Sequence, residues 1–575
     1  MVVQQENTRS TKPITFSATL QTSEGSIAVP NVTLDGRQSK ILATDYRLGG
    51  HTILYSSADI LTFGLFENHS AVLVLYLKEG QTGQFSFKGQ TDLTYKVFGE
   101  SSFKGIQEGG RQSFAWTQAS GATVVQFSNG VLAYLLDQPT AWRFWAPVKT
   151  DNPVVNPRDQ FLVLGPYLVR SAGVSDGKFT ISGDSDGEAT VEAFVGLAGV
   201  ETIVWNGKIL ETEKTSYGAI RGIIPGIKSL APSLPILANL VWKSADSLPE
   251  IDPVYDDSRW RVCNKTSSLS PTAPTTFPVL FSSDYGYYVG TKIYRGHFDG
   301  TAATGAEITS SGGLAFGWNA WLNGQFVGGH IGDKDSNTTR VSLSFRGAKM
   351  SSSGNILMVV VDYHGHDQAS TGNGINNPRG ILGARLLPSG TVRQTGFREW
   401  KIQGNAGGSG NIDPVRGPMN EGGLYAERLG WHLPGFTPDK KWTTSSPLNG
   451  IRGPGIQFYL ANFTLNIDSG LDVPLGIELS APKGTQARVM FWINGYQYGK
   501  FVPHIGPQTR FPVPPGIINN RGSNTIGLSL WAQSGAGARL DGVKLLSYGV
   551  YQTDVDFGKD LSYLQPLWSN RDEYA

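Results

Sequence analysis

Two stretches that echo each other constrain this chain more than any other feature: Ala320-Trp321-Leu322-Asn323-Gly324-Gln325-Phe326-Val327-Gly328 and Phe491-Trp492-Ile493-Asn494-Gly495-Tyr496-Gln497-Tyr498-Gly499. In each, an alternating aromatic-aliphatic run enters an Asn-Gly pair and leaves on a second alternating run that closes with Gly. Asn-Gly accepts the positive φ values of a tight type I′ turn, so each stretch predicts a β-hairpin. Downstream of each hairpin, and at nearly the same distance, Gly354-Asn355 opens the apolar run Ile356–Val361 and Ser523-Asn524 opens Thr525–Trp531. Upstream, Tyr294-Arg295-Gly296-His297-Phe298 is answered by Tyr459-Leu460-Ala461-Asn462-Phe463. Similar elements in the same order imply one domain used twice.

The rest of the chain reads the same way. Thr15–Leu20 alternates as a half-buried strand does, and Ile53–Tyr55 is a further short run. Ala71–Tyr76 and Val131–Leu136 are nearly continuous apolar runs, as in strands buried on both faces. The 72 glycines and 31 prolines fall between such runs as turns rather than clustering. No sustained 3.6-residue apolar period and no strand–helix alternation occurs, so the fold class is all-β and a (β/α)₈ barrel is not expected. A chain of 575 residues exceeds a single core. The Pro- and Asn-rich break at Pro147–Pro157 and the linker at Pro225–Pro235 divide it into a β-rich first domain (1–148), a small β-sandwich (149–228) and two jelly-roll-sized units (229–404 and 405–575).

Composition narrows the partners. The formal net charge is +1 with no long run of either sign, which argues against nucleic acid, whose phosphates demand clustered Lys and Arg. No window approaches the roughly eighteen continuous apolar residues of a membrane-spanning helix. Met1–Asn7 shows no basic segment leading into an apolar core, so no signal peptide is visible and the compartment reads as cytoplasmic or open. Against that, five Asn-X-Ser/Thr sequons, at Asn31, Asn68, Asn264, Asn337 and Asn462, lean toward a secretory lineage. Cys263 is the single cysteine, so no internal disulfide forms.

Residues that carry chemistry are sparse. Two opposed carboxylates would be needed for glycosidic hydrolysis, about 5 Å apart for retention and about 6.5–9.5 Å for inversion. Asp256-Asp257, ahead of Trp260, reads as a turn or cap before a core tryptophan. Glu421 sits in the Gly-rich connection Arg416–Arg428 and reads as an ion-pair former. His364-Gly365-His366-Asp367 follows an apolar strand and reads as a solvated strand end; no metal is assigned. No phosphate loop, nucleophile elbow or helical His-Glu-X-X-His occurs, and no cofactor is implied. Tyr496 and Tyr498, beside the Asn494-Gly495 turn, are the better lead. Sugar rings stack on such aromatics while an Asn side chain binds hydroxyls, although strand alternation puts both tyrosines on one face and that face is either core or open.

Several longer motifs resemble a known family. Phe281-Ser282-Ser283-Asp284-Tyr285-Gly286-Tyr287-Tyr288-Val289-Gly290, Tyr294–Phe298, Asn377-Pro378-Arg379-Gly380-Ile381-Leu382, Arg416–Arg428 and Asn494–Phe501 resemble the C-terminal part of large fungal β-galactosidases of glycoside hydrolase family 35. Leu34-Asp35-Gly36-Arg37-Gln38-Ser39-Lys40 and Gly165-Pro166-Tyr167-Leu168-Val169-Arg170 extend the resemblance over essentially the whole chain. It implies a secreted family in which a signal peptide and a catalytic (β/α)₈ barrel precede a β-rich second domain, a small sandwich and two jelly rolls. On that reading the chain begins inside the second domain, the barrel and both catalytic glutamates lie outside it, and no catalytic residue is assigned. Asn420-Glu421 resembles the family's acid/base dipeptide but stands in a jelly-roll motif. Tyr363 stands where relatives carry Asn in the run Asp362–Asp367.

Three functions remain open from sequence. The chain is a β-galactosidase scaffold whose partner is a catalytic barrel, or a stand-alone carbohydrate-binding jelly-roll protein using Tyr496, Tyr498 and Asn494, or an enzyme with new chemistry between its β domains.

Overall fold

The computed structural model describes residues 1–67, 69–150, 152, 154–226, 232–362, 377–390, 396–405 and 422–557. The described residues form strands throughout, and their α-helices are single turns of four residues, Gln138–Ala141 and Tyr425–Arg428. The fold is all-β and multi-domain, in two compact units.

The first unit comprises the described residues of Met1–Ala231 with the short segments Gly470–Asp472 and Gly549–Asp556. Its first part stacks two five-stranded sheets. One contains His51–Ser56, Thr82–Phe87 and Arg111–Thr117; the other holds His69–Leu77 and Val131–Asp137 as a parallel pair. All seven residues of Val131–Asp137 are buried, as the unbroken apolar run predicts for a strand covered on both faces. Val131, Ala133 and Leu135 join the core between the two sheets, whereas Leu132, Tyr134 and Leu136 pack against Leu162, Phe194 and Tyr217 on the other side. The hairpin of Ile14–Thr22 and Gly25–Leu34 packs over Leu54 and Tyr55. Beyond residue 144, a five-stranded and a four-stranded sheet enclose a core that includes Phe179, Ile181, Val191 and Trp205.

The second unit comprises the described residues of Pro232–Ser469 and Val473–Tyr548. It contains the repeat read from sequence. One six-stranded sheet carries, side by side, Lys292–Phe298, Asn355–Asp362, Gly317–Leu322 and Gln325–His330; the other carries Gly455–Asn466, Arg521–Ala532, Ala487–Ile493 and Tyr496–Phe501 in the same order. Registers match as well: Phe298 pairs with Asn355 and Phe463 with Asn524. Each six-stranded sheet has a three-stranded companion, containing Ala303–Ser311 in the first copy and Leu475–Ser480 in the second. The strand Lys243–Asp246, which precedes the first copy in sequence, pairs with Gly455–Asn466 of the second.

Both hairpins turn through Asn-Gly at positive φ, 47° and 82° at Asn323-Gly324 and 49° and 85° at Asn494-Gly495, the backbone of a type I′ turn. Behind each turn the structure builds the same polar cassette. The Asn323 amide donates to Asn355 Oδ1 (2.9 Å), its carbonyl accepts from Ile356 N (2.8 Å), and Asn355, fully buried, donates to the Gly300 and Ser351 carbonyls. In the second copy, Asn494 donates to Asn524 Oδ1 (2.8 Å) and accepts from Thr525 N (2.8 Å), while buried Asn524 donates to the Asn519 and Gly522 carbonyls. The downstream Asn of each echo therefore locks a hairpin to the strand beside it. Removing Asn524 orphans several buried groups at once, so Asn524→Ala and Asn355→Ala are each expected to cost about 2–4 kcal/mol. Exposed Asn462→Ala should cost under about 0.5 kcal/mol. Guanidinium unfolding followed by tryptophan emission measures both, and equal losses at all three positions would refute the cassette's role.

Candidate functional site

The second unit concentrates its charged chemistry around the apolar layer between its two six-stranded sheets. Ile293, Trp321, Met358 and Val360 from one sheet meet Phe458, Leu460, Met490 and Trp492 from the other. Charges that enter this layer arrive paired. Asp362, 3% exposed at its side chain, accepts from Arg488 Nη1 (2.6 Å) and Lys500 Nζ (2.7 Å), both of the second copy. Arg488 also donates to Gln533 Oε1 (3.1 Å) and the Ile331 carbonyl (3.3 Å). A Cβ at Gly317 would stand 2.6 Å from the Arg488 guanidinium, so a larger residue there would make the Arg488 and Gln533 side chains shift. The Trp531 indole donates to Asn319 Oδ1 (2.7 Å), and the Asn319 amide donates to the Gln533 carbonyl.

A second cluster gathers on Asp257. Its Oδ2 accepts from Arg295 Nε (2.7 Å) and His297 Nε2 (2.9 Å), and its Oδ1 from Lys401 Nζ (2.9 Å). Burial opposes the charge on Asp257, but the hydrogen bonds from His297 and Lys401 and the nearby Arg295 outweigh it. The carboxyl is held well below its ordinary range. Arg295 in turn donates to the backbone carbonyls of Glu250 and Asp252. The expected turn is present: Asp256 Oδ1 caps Ser258 N, and Trp260, bonded to the Asp257 carbonyl, is buried. The sequence reading missed the anchoring role of Asp257, whose three side-chain partners, Arg295, His297 and Lys401, come from two distant strands. Glu250 and Arg428 form a further, wholly buried pair; burial pushes the Glu250 carboxyl up and the guanidinium opposes it.

In the first unit Glu192 plays a similar part. It accepts from the hydroxyls of Tyr134 and Tyr217 and from Arg221 Nη2 (2.8 Å), and burial together with this carboxylate holds both phenols far above their ordinary range. Arg170 from the Gly165–Arg170 motif grips Asp184 through both guanidinium ends (2.5 and 2.6 Å) and reaches Asp554 (2.9 Å). Tyr167 packs against Tyr551 with ring centroids 4.6 Å apart and the planes tilted by 36°.

The residues named from sequence as a sugar-contacting set separate. Asn494 is buried, and its amide is spent within the protein, donating also to the Ile517 carbonyl (2.7 Å). Tyr498 lies parallel to Phe491 at 6.1 Å, and Phe491 is itself edge-on to Phe511 of the three-stranded sheet, so Tyr498 packs at the margin of the sandwich core. Tyr496 is half-buried on the same strand. Lys500, two residues beyond Tyr498, turns out to be the group of this strand that binds a carboxylate. Asn31, Asn264, Asn337 and Asn462 are exposed. Asn68, Tyr363, the His364–Asp367 stretch, Asn420 and Glu421 lie outside the described residues. Among the described residues no group of three or more His, Cys, Asp or Glu side chains is arranged to hold a metal ion.

Profiles for three parts of one enzyme family match in chain order: "Beta-galactosidase, domain 2" over residues 1–144, "Beta-galactosidase, domain 3" over 145–221 and "Beta-galactosidase second all-beta domain" over 255–367 and 425–536. The chain belongs to the β-galactosidase family. It is 58% identical over 571 residues to a probable β-galactosidase C of Sclerotinia sclerotiorum, covering 99% of this chain and 57% of that protein. It is 52% identical to a counterpart in Penicillium rubens, of which it covers 56%, and 49% identical to one in Aspergillus fumigatus, of which it covers 57%; those alignments take in 98% and 99% of this chain. The chain thus spans little more than half the length of these relatives, and what it carries are the family's β domains outside the barrel.

The Asp257 cluster yields a pH prediction. Because folding depresses this carboxyl below its ordinary 3.8, its contribution is fully present above about pH 4 and is lost as pH falls below that value. Asp257→Asn is expected to lower stability at pH 7 by about 3 kcal/mol, at the low end for a broken buried pair because the carbonyls still hold Arg295. It should also flatten the decline below pH 4. Unfolding midpoints from pH 2.5 to 7 test both, and parallel profiles for the two proteins would contradict the assignment.

Proposed function

We propose that the chain supplies the β scaffold of a β-galactosidase, and that hydrolysis of galactosides requires a catalytic barrel acting with it. The supporting observation is the alignment itself: identity of 58% runs along 99% of the chain yet accounts for 57% of the relative's length. The carboxylates described above agree with a scaffold role. Asp257, Asp362, Glu192 and Glu250 are each tied to cations or phenols rather than left facing a cleft as an acid/base pair needs. Exposed sequons at Asn31, Asn264, Asn337 and Asn462 support a secretory route for such a protein.

Purified chain is expected to release no nitrophenol from an aryl β-galactoside above the blank, and co-expression with the preceding segment of the Sclerotinia sclerotiorum relative is expected to give activity. Turnover by the chain alone, abolished by substituting one carboxylate, would overturn this reading.

Partial exposure of Tyr496 and Tyr498 favours a second reading, carbohydrate binding at this hairpin. It predicts glycan-array signals that vanish in Tyr496→Ala or Tyr498→Ala, and an array without hits would count against it.

A further inference from the structure

After the strand Arg261–Cys263 the chain leaves the sheets of the second unit for a loop of biased composition. Of the thirteen residues 266–278, seven are Ser or Thr, three are Pro and none is charged. Such a mixture offers little apolar area to a core, and its prolines, with fixed φ and no N–H, favour an extended backbone. The ends are tied together at the base: Val279 N donates to the Lys265 carbonyl (2.8 Å), and Lys265 N donates to the Tyr285 hydroxyl (3.2 Å).

From Ser267 to Pro278 the loop alternates as a strand does, odd-numbered residues exposed and even-numbered ones half-buried, although it belongs to no sheet. Its inner side is spent within the protein. Thr272 Oγ1 donates to Asn377 Oδ1 (3.0 Å), and Thr276 Oγ1 accepts from Ala384 N (3.3 Å). Its outer side is not: the hydroxyls of Ser267 and Thr275 have no hydrogen-bond partner among the described residues, and Leu269 and Phe277 stand 100% and 65% exposed. An extended, uncharged segment, closed at its base and carrying idle hydroxyls outward, suits an enzyme that grips an acceptor backbone and transfers a group to a side-chain oxygen. The Ser/Thr/Pro mixture marks that group as a sugar. Thr275 and Phe277, two apart on an extended backbone, share a face, so a hexose on the first can lay its apolar side on the ring of the second.

We propose that Ser267 and Thr275 carry O-linked hexoses. The donor is a sugar activated on a phosphate. The Oγ–C1 bond forms as the bond from the anomeric carbon to the phosphate oxygen breaks, and the hydroxyl proton is released as the phosphate departs. The proposal rests on the secretory route inferred above and is independent of the scaffold role.

The test is secretion of the full chain from a filamentous fungus behind a supplied leader. Enzymatic removal of N-glycans converts each occupied Asn to Asp, so Asn337 and Asn462 report passage through the secretory route. The tryptic fragment Thr266–Lys292 is then weighed. Masses higher by whole hexoses are expected, placed by fragmentation at Ser267 and Thr275 and lost in the Ser267→Ala/Thr275→Ala double variant, whose melting temperature should match that of the parent because both positions are exposed. A bare fragment from protein that carries N-glycans would overturn the proposal while leaving the secretory route standing. Absence of both modifications would overturn the two together. Phosphate in place of hexose, or hexose that persists in the double variant, would also overturn it.

Discussion

Everything in the second unit depends on one apolar layer. The strand Asn355–Asp362 is buried at all eight positions: Leu357, Val359 and Val361 face the core of their own sandwich, while Met358 and Val360 face the other six-stranded sheet. A sheet that is apolar on both sides must be covered on both sides. The three-stranded sheet covers one face, and the second copy's Met490, Trp492 and Phe458, together with Leu248, Trp260 and Leu424, pack in the layer on the other. The duplicated domain is thereby committed to packing against its own repeat.

That commitment dictates the electrostatics. Burying a lone carboxylate costs several kcal/mol, and at the layer Asp362 is met by Arg488 and Lys500 and Glu250 by Arg428. Such pairs add little net stability over an apolar replacement, but they penalise any arrangement that separates the partners. The first unit follows the same logic on a smaller scale. There the doubly covered strand Val131–Asp137 carries Tyr134, whose hydroxyl reaches Glu192 on the neighbouring sandwich.

Much of this frame is legible in the residue order because its determinants are local. Asn-Gly fixes a turn through its own φ preference, period-2 alternation marks the strands, and unbroken runs such as Val131–Leu136 mark the doubly covered ones. The repeat could be read because both copies need the same turn and the same buried Asn behind it. What could not be read is set by long-range partners. Asp257 looks like an ordinary turn residue until Arg295, His297 and Lys401 converge on it. Asn494 looks like a free hydroxyl-binder beside two tyrosines until Asn524, Thr525 and Ile517 claim its amide. Strand alternation places Tyr498 on a face, but only the position of Phe491 and Phe511 decides that the face is the sandwich margin.

The two copies share a frame but differ where they meet. Aligned on their Asn-Gly turns, Gly317 of the first corresponds to Arg488 of the second, and the cross-strand partner of each, Asp362 and Trp531, corresponds in turn. These equivalent positions face one another: the Arg488 guanidinium passes over Gly317 to reach Asp362, and the Trp531 indole reaches Asn319. Identical residues would fail here. Two arginines would compete for the space that one glycine leaves, and two aspartates would bury like charges together. Divergence of the copies at this one contact converts a self-complementary packing problem into a lock with distinct halves. It therefore adds to the apolar layer in selecting which face of each jelly roll the other occupies.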